Sequence, residues 1–159
     1  MNKGGHVVNA LLLSVGLGII IHGEATPASA ETVARIGPPV VLGALLPDLD
    51  TAFGTHRKTF HNVWVLGLAV AFPFVFDNLH YVWLGVATHY VLDLCGNVKG
   101  MGLLYPLPGF YDVPVGVTVD SRWADVVTLA VTAVQLGALW LVVDLGYRGQ
   151  LAGPTVPVL

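Results

Sequence analysis

The stretch WADVVTLAVTAVQLGALWLVVDL, residues 123–145, decides which class of fold this chain adopts. Its 23 residues carry only two charges, Asp125 and Asp144, and both lie near an end of the stretch. A helix that crosses the hydrocarbon core of a bilayer needs about 20 predominantly apolar residues, because each residue adds about 1.5 Å along the helix axis. The stretch therefore predicts a transmembrane helix.

The rest of the chain shares this apolar character. Hydrophobic residues make up 55% of its 159 residues, charged residues make up 11%, and the mean hydropathy is +0.74. These values are far from those of a soluble globular protein. The net charge is −3 and the basic residues are scattered, so the composition does not indicate a nucleic-acid partner. Cys95 is the only cysteine, which excludes an intrachain disulfide framework.

Four further apolar segments precede the one at residues 123–145, and they cover residues 7–21, 33–46, 63–76 and 79–94. Together the five segments predict an all-α membrane protein, a bundle of about four to five transmembrane or membrane-embedded helices. The second segment contains Pro38 and Pro39, which leaves a kinked or re-entrant passage open. The first segment has a second interpretation, because Ala-Ser-Ala at residues 28–30 is similar to a signal-peptidase site. Cleavage there would remove His6.

The distribution of basic residues predicts the orientation of the helices, provided that the segments alternate in direction. A cytoplasmic N-terminus places five basic residues on the cytoplasmic side: Lys3, Arg57, Lys58, Lys99 and Arg122. Only Arg35 and Arg148 then fall on the other side. Cytoplasmic loops carry an excess of Lys and Arg, so we expect a multi-pass protein of the cell membrane with its N-terminus in the cytoplasm.

A cluster of polar residues interrupts the apolar pattern in LLPDLDTAFGTHRKTFHN, residues 45–62. In an alternating bundle, the start of the first segment, the end of the second, the start of the third and the end of the fourth lie at one membrane face. Those places carry seven histidines and aspartates: His6, Asp48, Asp50, His56, His61, His89 and Asp93. His22, Asp77 and His80 map to the opposite face.

The residue types in this set suit a metal site. His89 and Asp93 are four positions apart, which places both side chains on one face of a helix. Asp48 and Asp50 repel each other unless a cation neutralises them. Mixed nitrogen and oxygen ligands favour zinc, with manganese or iron as alternatives, over calcium. Seven ligands exceed the needs of one tetrahedral ion, so we expect one or two divalent ions.

Each of these residues also has a structural interpretation, which the sequence leaves open. Asp50 is a candidate capping residue, and Arg57 and Lys58 are candidate interface anchors. His89 and Asp93 can form a hydrogen-bonded pair. Ionisable groups in membrane segments are costly and usually functional, which favours a shared site.

Four motifs and a histidine near the N-terminus carry a resemblance to a known family. GALLPDLD (43–50), HRKTFHN (56–62), GVATHYVLD (85–93) and GMGLLYPLP (100–108) resemble the YdjM-like family of membrane-associated, metal-dependent hydrolases, also called the LexA-binding inner-membrane hydrolase family. The resemblance implies the same seven metal ligands, and an Arg57 that faces an anionic group. The chain departs from the family pattern at four positions, with Lys58 for Gly, Phe60 for Thr, Asn62 for Ser and Thr88 for Ser.

The resemblance divides the chain, within a single domain, into two parts. Residues 1–108 form the helical membrane region that carries the motifs and the metal site. Residues 109–159 form a connecting loop, the final transmembrane helix and a short tail, and they lie outside the resemblance.

The resemblance implies a membrane-bound metal-dependent hydrolase. A divalent ion lowers the pKa of a bound water to about 7, which supplies hydroxide at neutral pH. Arg57 would stabilise the developing charge, and Asp50 or Asp93 would accept the proton. A site at the bilayer surface predicts membrane lipid as partner and a lipid-linked phosphate ester as substrate, with residues 96–120 as a lid.

Two other functions are compatible with the sequence. The first is a non-catalytic metal-binding integral membrane protein, in which an ion only fastens helix ends together. The second is an ion or proton pathway, although the charges gather at one face and leave the middle of the bundle nearly uncharged.

Overall fold

The computed structural model describes residues 2–113 and 115–152, with side chains described as far as residue 146. The side chain of Arg148 and the tail from residue 153 onwards lie outside the described residues. The described part contains five helices of 14 or more residues, and it contains no strand, only two isolated bridges. The prediction of an all-α bundle is therefore confirmed.

The helices follow the five predicted segments. They are α1 (Lys3–His22), α2 (Pro27–Leu45), a one-turn α3 (Asp50–Phe53), α4 (Val63–Phe76), α5 (Val82–Gly96) and α6 (Ala124–Ala152), with a 3-10 turn at Pro47–Leu49 between α2 and α3. Within the described residues, three stretches are long and apolar enough to cross a membrane: Lys3–His22, Pro27–Phe53 and Ala124–Gly146. The chain is thus a membrane protein, in which α4 and α5 are shorter than a full span.

The boundaries of α1 and α2 follow from local capping. The Asn2 side chain accepts a hydrogen bond from Gly5 N at 2.8 Å at the start of α1, and Gly23 ends that helix in the left-handed conformation with φ 75. Thr26 and Ser29 form a capping box at the start of α2, so the Ala-Ser-Ala at residues 28–30 lies in the first turn of this helix. The helix α2 continues through Pro38 and Pro39 without a break.

Two glycines set the contact between α2 and α5. A Cβ on Gly43 would lie 3.1 Å from the Cα of Gly85, and a Cβ on Gly85 would lie 2.6 Å from the backbone nitrogen of Ala44. Small residues at helix contacts in membranes allow this close approach of two main chains. The contact brings the carbonyl of Ala44 to the ring of His89.

An apolar core lies between the helices, and the outside of the bundle is apolar as well. Ala10, Ile36, Val40 and Ala44 are buried at the contact of α1 with α2, and α6 packs against α1 and α5. Large hydrophobic side chains on the outside are exposed, such as Phe74 at 88%. An apolar exterior of this kind suits contact with lipid rather than with water.

The link between α5 and α6 folds back onto the turn that precedes α4. Met101 and Tyr111 exchange two backbone hydrogen bonds, at 2.8 and 2.9 Å. Gly102 N donates to Arg57 O at 2.8 Å, and Val63 N donates to Leu103 O at 2.9 Å. The segment that we predicted as a lid is therefore hydrogen-bonded to the polar turn at residues 56–62.

Candidate metal centre

All seven residues of the predicted metal set lie at one end of the bundle, in the ion pairs and ring contacts described below. Six of them are at most 8% exposed, and only His56 is exposed. Six of the seven form two groups whose candidate ligand atoms lie within 4.8 Å of one another. The inner group is His6, His89 and Asp93, and the outer group is Asp48, His56 and His61.

The inner group joins α1 to α5. The rings of His6 and His89 stack with centroids 3.7 Å apart and an interplanar angle of 12°. His6 Nε2 lies 3.3 Å from Asp93 Oδ1, and His89 Nε2 lies 3.9 Å from Asp93 Oδ2. Both ring nitrogens of His6 are buried, and neither makes a hydrogen bond within the described part of the chain. Buried polar atoms are normally satisfied, so these two nitrogens fit a ligand role.

A backbone contact fixes the tautomer of His89. Its Nδ1 lies 2.7 Å from the carbonyl oxygen of Ala44. A carbonyl only accepts hydrogen bonds, so Nδ1 carries a proton and donates it, and Nε2 of the neutral ring keeps its lone pair. Histidines that bind metals are commonly oriented by this kind of bond from the second nitrogen.

Asp50 orients two histidines of the outer group. Its Oδ2 lies 2.8 Å from His61 Nδ1, and its Oδ1 lies 2.9 Å from His56 Nδ1. The Phe60 backbone nitrogen also donates to Oδ2, at 3.3 Å. Carboxylates that accept from histidine Nδ1 leave Nε2 as the ligand atom. We predicted Asp50 as a metal ligand and as a proton acceptor. In the structure both of its carboxylate oxygens contact histidine Nδ1 atoms, so it orients two candidate ligands.

The two groups meet where His61 and His89 face each other. Their Nε2 atoms lie 3.1 Å apart, and His61 Nε2 lies 3.8 Å from Asp93 Oδ2. Asp48 Oδ1 lies 4.0 Å from His89 Nε2. In neutral rings whose Nδ1 atoms donate, both Nε2 atoms present lone pairs. Two lone pairs at this distance repel each other unless a cation or a proton lies near both.

Burial favours the neutral form of His61. Desolvation lowers the pKa of its imidazole below the usual value of 6.5, although the hydrogen bond and the charge of Asp50 act in the opposite direction. Metal ligands must be deprotonated, so a neutral His61 is suited to bind a metal at neutral pH.

Arg57 holds Asp93 rather than pointing into solvent. Its Nη2 donates to Asp93 Oδ2 at 2.8 Å, and its Nη1 donates to the carbonyls of Lys99 and Gly100. The residue is 6% exposed and has a positive φ of 65, in the left-handed region that non-glycine residues rarely adopt. The anionic group that this arginine faces within the described chain is therefore the carboxylate of Asp93.

A cleft of about 360 Å³ opens beside the outer group. His56 and Arg57 line one side of it, and the link between α5 and α6 lines the other with residues that include Asn97, Lys99 and Asp120. The His56 side chain is 45% exposed, whereas those of His61 and Asp50 are fully buried. A small molecule that enters the cleft would reach His56 before the other members of the site.

The remaining predicted polar residues lie elsewhere. His22 Nε2 is 2.9 Å from Thr32 Oγ1, and His80 Nε2 is 3.5 Å from Asp77 Oδ1. His22 follows His6 by 16 positions in the same helix, a rise of about 24 Å at 1.5 Å per residue. The sequence assignment of His22 to the opposite face agrees with this separation.

Two sets of polar contacts near the site were not predicted. Asn62 caps α4 by accepting from Trp64 N and Val65 N, both at 3.1 Å, and it also donates to Lys58 O and Thr59 O. The motif Asn-Val-Trp before an apolar run was the available signal. The second set joins three helices through the side chains of Asn9, Thr132 and Gln135 and the backbone carbonyl of Thr88.

The chain was also compared with known proteins. Searches against protein-family models, curated proteins and solved structures give no match. The YdjM-like resemblance therefore keeps the standing of a hypothesis, and the residues that carry it are the ones that converge at this end of the bundle.

Proposed function

We propose that this protein is a metal-dependent hydrolase of the cell membrane, with its ligands in the inner and outer groups. One observation carries the metal-binding part of the proposal, namely the 3.1 Å separation of His61 Nε2 and His89 Nε2 in rings whose Nδ1 atoms are both engaged. The hydrolase activity is proposed from the family resemblance. A divalent cation between or beside them removes the repulsion of the lone pairs. The buried Nδ1 of His6, which has no hydrogen-bond partner within the described residues, supports the same assignment.

The ligand set favours zinc, with manganese or iron as alternatives, and one or two ions. Each group offers two imidazoles and one carboxylate, and sites with three protein ligands are typical of catalytic zinc because one position stays open to water. A bound divalent ion supplies Lewis acidity and lowers the pKa of a water molecule to about 7.

The other residues of the site position these ligands and handle the proton. Asp50 fixes the rings of His56 and His61, and Arg57 fixes the carboxylate of Asp93. The proposed proton acceptor is Asp50 or Asp93, whichever carboxylate is not fully engaged with metal. If Arg57 turns from Asp93 towards the cleft, it can stabilise charge that develops on a substrate oxygen.

We propose a lipid-linked phosphate ester as the substrate. The site lies at the ends of helices that are apolar enough to span a membrane. The lining of the cleft beside His56 includes the cations Arg57 and Lys99, which suit a phosphate, together with Asp120 and two valines. A headgroup in this cleft would keep its acyl chains beside the apolar exterior of the bundle. The excess of basic residues at this end places it on the cytoplasmic side in the proposal.

The first experiment measures the metal content of detergent-purified protein by mass spectrometry. Wild type is compared with Asp48→Ala and His89→Ala, and His80→Ala is the matched control because His80 pairs with Asp77 away from the site. We expect less metal in the two site variants and unchanged metal in the control. Equal metal content in all four proteins would contradict a shared site.

The second experiment measures hydrolysis of a panel of lipid phosphates by the same preparations. Activity should be lost on chelation and restored by zinc, manganese or iron. Turnover that persists in fully metal-free protein would rule out the proposed mechanism.

One observation favours a second function, that of a non-catalytic metal-binding membrane protein. Every residue of the inner group is at most 1% exposed, so an ion there would be closed off from solvent. In that case metal raises the melting temperature but supports no turnover. His56→Ala separates the two functions, because it spares the inner group and removes the exposed ligand of the outer group.

A further inference from the structure

The last helix, which lies outside the family resemblance, carries polar side chains at the contact with α1 and α5. Thr132 and Gln135 are 2% and 8% exposed within the candidate span Ala124–Gly146. Hydrocarbon offers no hydrogen-bond partners, so a polar side chain in a span normally bonds to a neighbouring helix. Together, Thr132 and Gln135 form hydrogen bonds to both neighbouring helices, α1 and α5.

The first of these contacts is with α1. Asn9 Nδ2 donates to Thr132 Oγ1 at 2.8 Å and to Gln135 Oε1 at 2.6 Å. Asn9 is 1% exposed and follows His6 by three positions, so both side chains lie on one face of α1. The two hydrogen bonds therefore constrain the rotation and the depth of the helix that presents His6.

The second contact is with α5. Gln135 Nε2 donates to the carbonyl of Thr88 at 3.2 Å, directly before His89 in the chain. One side chain of α6 thus bonds at once to the helix of His6 and to the helix of His89. The rings of these two histidines stack at 3.7 Å in the inner group.

We infer that Gln135 and Thr132 are positioning residues of the inner group, which hold α1 against α5 so that His6 faces His89 and Asp93. The inference deepens the proposed function, on which its consequence for metal affinity rests. The geometric part concerns the two rings and is independent of any turnover. It also assigns a role in the site to a helix that carries none of the family motifs.

The test uses the full chain in detergent with histidine labelled at Cε1, observed by NMR in metal-free protein. Gln135→Met and Thr132→Val each remove a hydrogen bond with Asn9 and replace the polar side chain with an apolar one of similar size. Thr128→Val is the matched control, because Thr128 is buried in the same helix and its Oγ1 bonds to Ala124 O of its own helix at 3.0 Å. Helix content by circular dichroism confirms that each variant is folded.

We expect the Cε1–H resonances of His6 and His89 to shift in Gln135→Met and Thr132→Val and to stay unchanged in Thr128→Val. Resonances that stay at their wild-type positions in both variants would overturn the inference, as would equal shifts in the control. If one variant does not fold, the other decides.

Zinc affinity, measured by competition with a chromophoric chelator, is the second measurement. Loss of a residue that hydrogen-bonds a metal ligand commonly costs about 10–100-fold in metal affinity. Gln135 acts on the ligands through α1 and α5, so we expect a loss of up to about 10-fold in Gln135→Met and none in Thr128→Val. Wild-type affinity in Gln135→Met would contradict a role in metal binding. A wild type that binds zinc without hydrolysing lipid phosphates would contradict the proposed hydrolase and leave the positioning role intact.

Discussion

Arg57 Nη2 donates to Asp93 Oδ2 at 2.8 Å, and the same carboxylate faces His6 Nε2 through its other oxygen at 3.3 Å. Asp93 is 1% exposed, so its charge depends on these neighbours for compensation. The arginine and a metal ion can therefore both compensate the charge of this buried carboxylate.

We predict that Arg57→Gln destabilises the metal-free protein by about 3 kcal/mol, the usual cost of removing one partner from a buried ion pair. Added zinc should recover more stability in this variant than in wild type, because the cation compensates Asp93 in place of the arginine. Thermal unfolding with and without chelator measures both effects. Lys58→Gln, which removes a more exposed neighbouring cation, is the control, and an equal loss in both variants would contradict the role of the pair.

Asp50→Asn should weaken metal binding without removing a ligand. His56 and His61 donate to different oxygens of Asp50, and in asparagine one of these positions becomes an NH2 group that would face a donating Nδ1. We expect a loss of about 10–100-fold in zinc affinity, measured by chelator competition. Asp77→Asn, at an exposed carboxylate away from the site, should bind zinc as wild type does. Unchanged affinity in Asp50→Asn would show that the hydrogen bonds to Asp50 do not orient ligands.

Gly85→Ala should separate α2 from α5. The added Cβ meets backbone atoms of Gly43 and Ala44, which cannot move aside as a flexible side chain can. We expect a lower melting temperature together with reduced metal content, since Ala44 O would move away from His89 Nδ1. Gly67→Ala is the matched control, because a Cβ there meets nothing within 4 Å and alanine favours a helix by about 1 kcal/mol over glycine. A Gly85→Ala protein with wild-type stability would disprove the close contact.

Asn62 allows a test of one departure from the family pattern. Asn62→Ala removes the cap of α4 and should cost about 1 kcal/mol in the free energy of unfolding. Asn62→Ser, which introduces the residue typical of the family that the chain resembles, keeps an acceptor for Trp64 N and Val65 N and should lose less stability. Thermal unfolding of both variants shows which of them is more stable. A serine variant that is less stable than the alanine variant would be inconsistent with capping.

Hydrophobicity predicted the helices because length and apolar content alone identify a span, whereas their ends depended on local hydrogen bonds. The second segment was expected from residue 33, but α2 begins at Pro27 because Thr26 and Ser29 cap it in a stretch that resembles a polar link. The fourth segment was expected from residue 79, but Leu79 has φ 56 and α5 begins at Val82.

The sequence could predict which residues meet at one end of the bundle, but it could not predict which of them contact each other or what role each side chain has. Alternating helices bring His6, His89 and Asp93 to one end whatever the side-chain conformations are. The role of Asp50 depends on the direction of its side chain at the start of the one-turn α3, which no spacing rule gives. Asn9 and Gln135 were overlooked because single polar residues do not disturb the average hydropathy of a span.

The meeting of Gly43 and Gly85 has a mechanical consequence for the site. Main chain touches main chain there, so the gap between α2 and α5 has a hard lower limit that no rotamer change can alter. The carbonyl that aims the His89 ring belongs to Ala44, the residue next to this contact. The orientation of the His89 ring is thus fixed against the main chain of another helix, at the point where the two helices can approach no further.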